Sequence, residues 1–132
     1  MAKIERFEDL QAWQKARLLV KEVYGITDRP GFRRDFALRD QVRRSAISVS
    51  SNIAEGFARR TNKEFTQFLY IAHGSVAEVE AQLYAAQDLG YIGQPEFGRL
   101  YALCYEISKM AMGLIKYLRS HSSTPQPRNS GT

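Results

Sequence analysis

The chain is poor in the residues that make covalent and metal staples. Its one cysteine, Cys104, allows no internal disulfide and no thiolate metal site built from this chain alone. Two histidines, His73 and His121, are too few for a multi-histidine metal centre. Apolar runs are short as well: no uninterrupted stretch of about 18 apolar residues occurs, so no transmembrane helix and no membrane role are expected. Met1 to Gln14 alternate charged and apolar side chains, unlike a secretory leader. A reducing, cytoplasmic setting is the expectation. Catalytic patterns are missing too. There is no G-x-S-x-G, no phosphate-binding loop and no H-E-x-x-H, and neither histidine has a glutamate three residues before it, as a di-iron bundle would need. No activated nucleophile or acid–base pair is legible. The expectation is a protein that is not an enzyme, with no catalytic residues, no metal and no cofactor.

What is present is one domain's worth of helix. The chain has 132 residues, 44% hydrophobic and 25% charged, with a formal net charge of +5. That charge is unevenly spread. Residues 31–63 carry eight basic and three acidic side chains, whereas residues 64–92 carry four acids and no Lys or Arg. A cationic segment followed by an anionic one fits a nucleic-acid face. It fits equally two surfaces that meet within or between subunits.

Periodicity is helical throughout, and strand alternation is absent. The spacing predicts a first helix from about Asp9, as N-cap, to Tyr24, with Leu10, Trp13, Ala16, Val20 and Val23 inward and Gly25 and Asp28-Arg29-Pro30-Gly31 ending it. A second starts at Asp35 and reaches Phe57 or Arg59, with Leu38, Val42, Ser45/Ala46, Val49, Ile53 and Gly56 inward. Its serine-rich middle, Ser45 to Ser51, invites hydroxyl competition for backbone bonds and a bend. A third opens on a Thr61–Glu64 capping box and stops at Gly90; its seam, Phe65, Leu69, Ala72, Val76, Val79, Leu83 and Ala86, alternates steps of four and three. A fourth starts at Pro95, with Leu100, Cys104, Ile107, Ala111, Leu114 and Leu118 inward. The predicted fold is an all-α, antiparallel up-down-up-down four-helix bundle over residues 1–119. Residues 120–132, rich in Ser, Thr, Pro and Gly, are expected to form a disordered tail.

Two helices carry more apolar surface than one bundle can hide. Tyr70, Gly74, Ala77 and Ala81 lie opposite the third helix's seam, with Ala85 beside them. Tyr101, Leu103, Tyr105, Met110, Met112 and Tyr117 lie away from the fourth's. Surplus faces of this kind mark an interface, so a homo-oligomer is expected, with Tyr70, Gly74, Ala77, Ala81, Tyr101, Tyr105 and Met112 at its contact.

Several blocks occur in a familiar order. Phe7-Glu8-Asp9-Leu10-Gln11-Ala12-Trp13 opens the chain, and Leu38-Arg39-Asp40-Gln41-Val42-Arg43-Arg44-Ser45-Ala46 follows. Then come Ser51-Asn52-Ile53-Ala54-Glu55-Gly56 and Ile71-Ala72-His73-Gly74-Ser75, with Glu78 and Glu80 downstream. From Phe7 to about Leu118 the chain resembles the four-helix-bundle family of the 23S rRNA intervening-sequence protein. That family is similar in turn to the accessory variability protein of diversity-generating retroelements. One departure is Ser50, where the family often carries a proline. The resemblance implies an antiparallel bundle assembled into a ring-like pentamer, with a nucleic-acid role and no assigned activity.

Two candidate sites follow. Arg33, Arg34, Arg39, Arg43, Arg59, Arg60 and Lys63 form the candidate nucleic-acid-binding set, an arginine-rich rim for RNA, DNA or a nucleic-acid enzyme. The alternative is an adaptor whose arginines pair with acids of a neighbouring subunit. Gln41, Arg44, Ser48, Asn52 and Glu55 share one side of the second helix, and Ser75 and Glu78 can meet them from the third. These seven are read as a half-buried structural network that sets helix register. Cys104 and Trp13 are read as packing residues.

Overall fold

The computed structural model describes residues 4–121. A 3₁₀ turn at Phe7–Asp9 precedes α1 (Gln11–Thr27), a short α2 (Pro30–Arg34), α3 (Phe36–Phe57), α4 (Asn62–Asp88) and α5 (Gln94–Ser120). The described residues hold no strand. The contacts set the register. Phe57 meets Phe65 while Ser48 meets Ser75, so α3 and α4 run antiparallel. Asn62 meets His121 while Tyr84 meets Phe97, so α4 and α5 do too. Glu22 pairs with Arg99 and Lys15 with Glu106, which sets α5 against α1. The result is the expected up-down-up-down bundle, its core drawn from all four long helices.

Local chemistry accounts for most boundaries. Asp35 caps α3 by accepting from the Leu38 N–H at 3.1 Å. Thr61 caps α4 by accepting from the Glu64 N–H at 3.1 Å, and its hydroxyl donates back to the Glu64 carboxylate at 3.0 Å. Gly90, with φ +78°, closes α4 as a Schellman turn: Tyr91 N–H reaches Ala86 O at 2.9 Å and Gly90 N–H reaches Gln87 O at 3.0 Å. Gly93 is the N-cap of α5, so Pro95 is its second residue, one place later than the spacing suggests. In α3 the hydroxyls of Ser45 and Ser50 do bond back, to Gln41 O and Ile47 O, yet the helix runs unbroken.

Several expectations need correction. Asp9 does not cap α1. Its carboxylate accepts the Glu5 and Arg6 N–H groups instead and closes the 3₁₀ turn. The buried stripe of α1 is Ala12, Ala16, Leu19, Val23 and Ile26, so Trp13 and Val20 sit on its half-buried flank. Gly25 does not end α1, which continues to Thr27; that residue is fully buried, and its hydroxyl bonds back to Val23 O at 2.7 Å. The Pro30–Arg34 segment is a helical turn of its own, anchored by Phe32 stacked on Tyr91. In α5, Leu103 and Ile115 are buried and Leu114 is half-buried, which turns the apolar face slightly from the expected stripe. Ser120 belongs to α5 and His121 is its C-cap, so the start of the expected tail is helical. The remainder, 122–132, lies outside the described residues.

Candidate nucleic-acid interface

The seven cations of the candidate set do not share one rim. Arg33, Arg34, Arg39 and Arg43 stand where α2 meets α3, and Arg59, Arg60 and Lys63 at the corner between α3 and α4. Between Arg39 and Phe57 lie 18 helical steps of one helix, about 27 Å at 1.5 Å each. The bundle therefore has two cationic ends.

At the α2–α3 end most guanidiniums already have partners. Arg43 Nε donates to Thr27 Oγ1 at 2.7 Å, and its guanidinium covers the Tyr24 ring. Arg39 donates to Asp40 at 2.9 Å and to Arg33 O at 3.2 Å, and lies over Phe36. That hydrogen bond, helped by the charges of Arg39, Arg44 and Arg43, holds the Asp40 carboxyl below the usual aspartate range. Arg33 lies 3.8 Å from Asp28, a loose exposed pair. Arg34 is exposed and makes no ion pair among the described residues. The same end is braced by Tyr91, whose hydroxyl donates to Asp35 at 2.9 Å, and by Arg29, bonded to Glu96 at 2.7 Å. Donation to Asp35 raises the Tyr91 hydroxyl's pKa, and the Arg29 bond lowers that of the Glu96 carboxyl.

At the α3–α4 corner the balance differs. Arg59 is held: it donates to Glu55 at 3.0 Å and covers the Phe68 ring. Arg60 and Lys63 are exposed and make no ion pair among the described residues. The corner lies against the end of α5, because Asn62 Nδ2 donates to His121 O at 2.8 Å. That brings Arg119 to the same end, where it donates to Tyr70 Oη at 3.2 Å. Sequence reasoning left Arg119 out of the set; only the antiparallel return of α5 makes it a neighbour of the corner.

The polar network is smaller than expected. Ser48 and Ser75 share a hydrogen bond of 2.8 Å, and Asn52 Nδ2 donates to Ser48 Oγ at 3.0 Å and Ser48 O at 2.8 Å. Gln41, Arg44, Glu55 and Glu78 are exposed and stand apart from this trio. Glu55 serves Arg59 instead. One helical step of 100° carries a side chain from the groove to the surface, and these four lie on the outer side of that line.

Of the expected contact residues, Tyr70, Gly74, Ala77, Ala81, Tyr105 and Met112 are exposed, as are Ile71, Tyr84 and Tyr117. Tyr101 is half-buried, stacked on Phe97 and edge-on to Tyr84, so it belongs mainly to its own subunit. Between α4 and α5, burial raises the Glu80 carboxyl against the opposing pull of His73. Cys104 is fully buried and its thiol is pushed up to about 12, first by burial and then by Glu80, so it packs and does not react. A groove of about 550 Å³ between the start of α1 and the last turns of α5 is lined mainly by Ile4, Leu10, Ala12, Met110 and Leu114. Its one carboxylate, Asp9, is already bonded to two backbone N–H groups. No cluster of three or more metal-ligating side chains exists among the described residues, and none of their helices is long and apolar enough to cross a membrane.

Fold and site together define a small four-helix bundle with cations at both ends and an uncovered apolar flank. The family profile of the 23S rRNA-intervening sequence protein matches residues 8–113, so the chain belongs to that family. It is also similar to a solved structure described as a protein of unknown function from the S23 ribosomal protein family of Bacteroides thetaiotaomicron VPI-5482. The TM-score is 0.73 at 22% identity, covering 80% of this chain and 98% of that one. At that identity the likeness bears on the fold alone. No curated protein matches.

Proposed function

We propose that this chain is a non-enzymatic, cytoplasmic homo-oligomer, a pentamer, that binds nucleic acid or a nucleic-acid-processing partner through cations at the ends of its bundle. The observation that carries the reading is the α3–α4 corner, where Arg60 and Lys63 stand exposed without an ion pair among the described residues. Arg34 does the same at the other end. The family's name, which refers to 23S rRNA, supports an RNA context. Assembly is supported by the exposed Tyr70, Gly74, Ala77, Ala81, Tyr105 and Met112. Repetition around a ring turns a few weak phosphate contacts per subunit into useful avidity. Such binding is directed at the backbone and weakens with salt.

The test is fluorescence anisotropy with labelled RNA at about 50 and about 300 mM salt. Arg60→Glu with Lys63→Glu is expected to weaken binding at least tenfold while leaving the assembly's mass unchanged. An affinity that ignores both salt and charge reversal overturns the reading. The second reading is a protein–protein scaffold without nucleic-acid binding. It is favoured by Glu78 and Asp88, which stand exposed on α4 with no ion pair among the described residues and could take a neighbour's arginines. Under it, the same charge reversal breaks the assembly.

A further inference from the structure

α1 packs on α3 and on α5, and α4 packs on the same two helices, so α1 and α4 stand diagonally across the bundle. Their outer faces therefore look in opposite directions. Those faces also differ in charge. The buried stripe of α1 runs through Leu19 and Val23. Lys21 lies two residues from each of them, about 200° round the helix, and Arg17 stands one turn before it. Both are exposed and make no ion pair among the described residues. The Arg17 guanidinium carbon is 5.9 Å from the centre of the Trp13 ring. On α4, Glu78 is placed in the same way, two residues after the buried Val76, and it too is exposed without an ion pair among the described residues. Residues 64–92 hold no Lys or Arg. Each face also leaves large apolar side chains in solvent, Leu18 and Tyr24 on α1, Tyr70 and Ile71 on α4.

We propose that these two faces dock on each other between copies, with Glu78 of one chain seated between Arg17 and Lys21 of the next. The occupant of the α4 face is a second copy of this chain, and charge complementarity is the argument for it. Glu78 lies near the middle of α4, and Arg17 and Lys21 bracket the middle of α1, so the two helices cross near their centres. Burial of the exposed apolar side chains drives the contact, while the charges at its centre select the partner face and reject a like one. The exposed lysines of α5, Lys109 and Lys116, stand beside α4 on the same flank. A contact through them would join two copies about a two-fold axis and stop there. Contact between diagonal faces is instead head-to-tail, and it closes into a ring when the rotation per copy allows. The inference rests on the assembly proposed above, and it leaves Arg60 and Lys63 free for nucleic acid.

The test is light scattering on the full chain at micromolar concentration. The parent is expected to give at least three times 15.1 kDa. Glu78→Lys should reduce it to a single chain, and so should Arg17→Glu with Lys21→Glu. All three substitutions together should restore the parent mass, because the charges at the contact are then exchanged rather than lost. Circular dichroism checks that each variant is helical. If a reversal does not fold, Glu78→Gln, or Arg17→Gln with Lys21→Gln, takes its place and should raise the concentration needed for assembly at least tenfold; an unchanged concentration overturns the contact. A parent of one chain overturns the assembly and the proposed function with it. A parent that assembles with a mass indifferent to both reversals overturns this contact alone, as does a folded triple variant that stays a single chain. A parent of two chains also overturns it. So does an Arg17→Glu, Lys21→Glu variant that loses labelled RNA with its mass intact, which would give the cations of α1 to nucleic acid.

Discussion

Arg43 donates from Nε to Thr27 Oγ1 at 2.7 Å, and its guanidinium carbon stands 4.3 Å from the centre of the Tyr24 ring. Thr27 is fully buried and hands its own proton on to Val23 O. This relay ties the start of α3 to the last turn of α1. Arg43→Ala is therefore expected to lower stability by about 1–2 kcal/mol, from one lost hydrogen bond and one ring contact. Urea melts measure the loss. The salt dependence of RNA binding should not change. A variant as stable as its parent, with a flatter salt dependence, would return Arg43 to the phosphate-binding set.

Gly56 and Gly74 are expected to respond oppositely to alanine. A Cβ at Gly56 would stand 2.7 Å from Phe68 Cβ and 2.9 Å from the Phe65 ring, so α3 and α4 would have to part. Overpacking of that kind costs about 1–3 kcal/mol, more than the roughly 1 kcal/mol that alanine gains in helix propensity. Nothing lies within 4 Å of a Cβ at Gly74. Gly74→Ala should raise the subunit's stability by about 0.5–1 kcal/mol. Thermal melts of the two variants check the signs.

Ser75→Ala should cost about 1 kcal/mol, because it leaves the half-buried Ser48 hydroxyl with one partner fewer. Glu55→Ala should cost less than about 0.5 kcal/mol, since Glu55 serves only an exposed pair with Arg59 one turn away. A large effect of Glu55→Ala, on the melt or on the assembly, would place that carboxylate in a contact between subunits.

Tyr105→Lys combined with Met112→Lys places charge on the exposed flank of α5 without touching the core. Light scattering should give a multiple of 15.1 kDa for the parent and a smaller mass for the variant. A parent that scatters as a single chain at micromolar concentration removes the oligomer from the proposal.

Acid should destabilise the fold by a route that names its residues. Hydrogen bonds from Arg39 and Arg29 depress Asp40 and Glu96. Their contribution is complete above the ordinary carboxylate range and is lost as pH falls through their lowered folded values. Burial raises Glu80, which acts the other way: its charged form disfavours the fold, and protonation relieves it. The melting temperature should fall between about pH 5 and about pH 3, and Glu96→Gln should flatten that fall. An unchanged slope would mean that the Arg29–Glu96 pair contributes nothing in solution.

The α4 seam is the clearest case of a feature legible in one dimension. Phe65 to Ala86 are buried as their spacing requires, and Thr61 and Gly90 close the ends by bonds that reach only a few residues. The phase of α1 was harder to read, because both of its flanks are apolar. Trp13 and Val20 on one side compete with Leu19 and Ile26 on the other, and only the packed partner helices choose between them. The candidate cations show the same limit more sharply. Arg43 and Arg34 look alike in sequence, yet one has its guanidinium over Tyr24 and the other stands in solvent.

The amino-acid order alone determined which four segments are the long helices, where most of them stop, and that cations and acids fall in successive stretches. Those properties depend on periodicity, capping and counting, which act over a turn or two of chain. Tertiary structure alone decided which charges are free, which hydroxyls meet across a groove, and that Asn62 lies against His121, 59 residues away. An arginine or asparagine reaches several ångströms, and whatever lies within that reach is set by how distant helices return to one another.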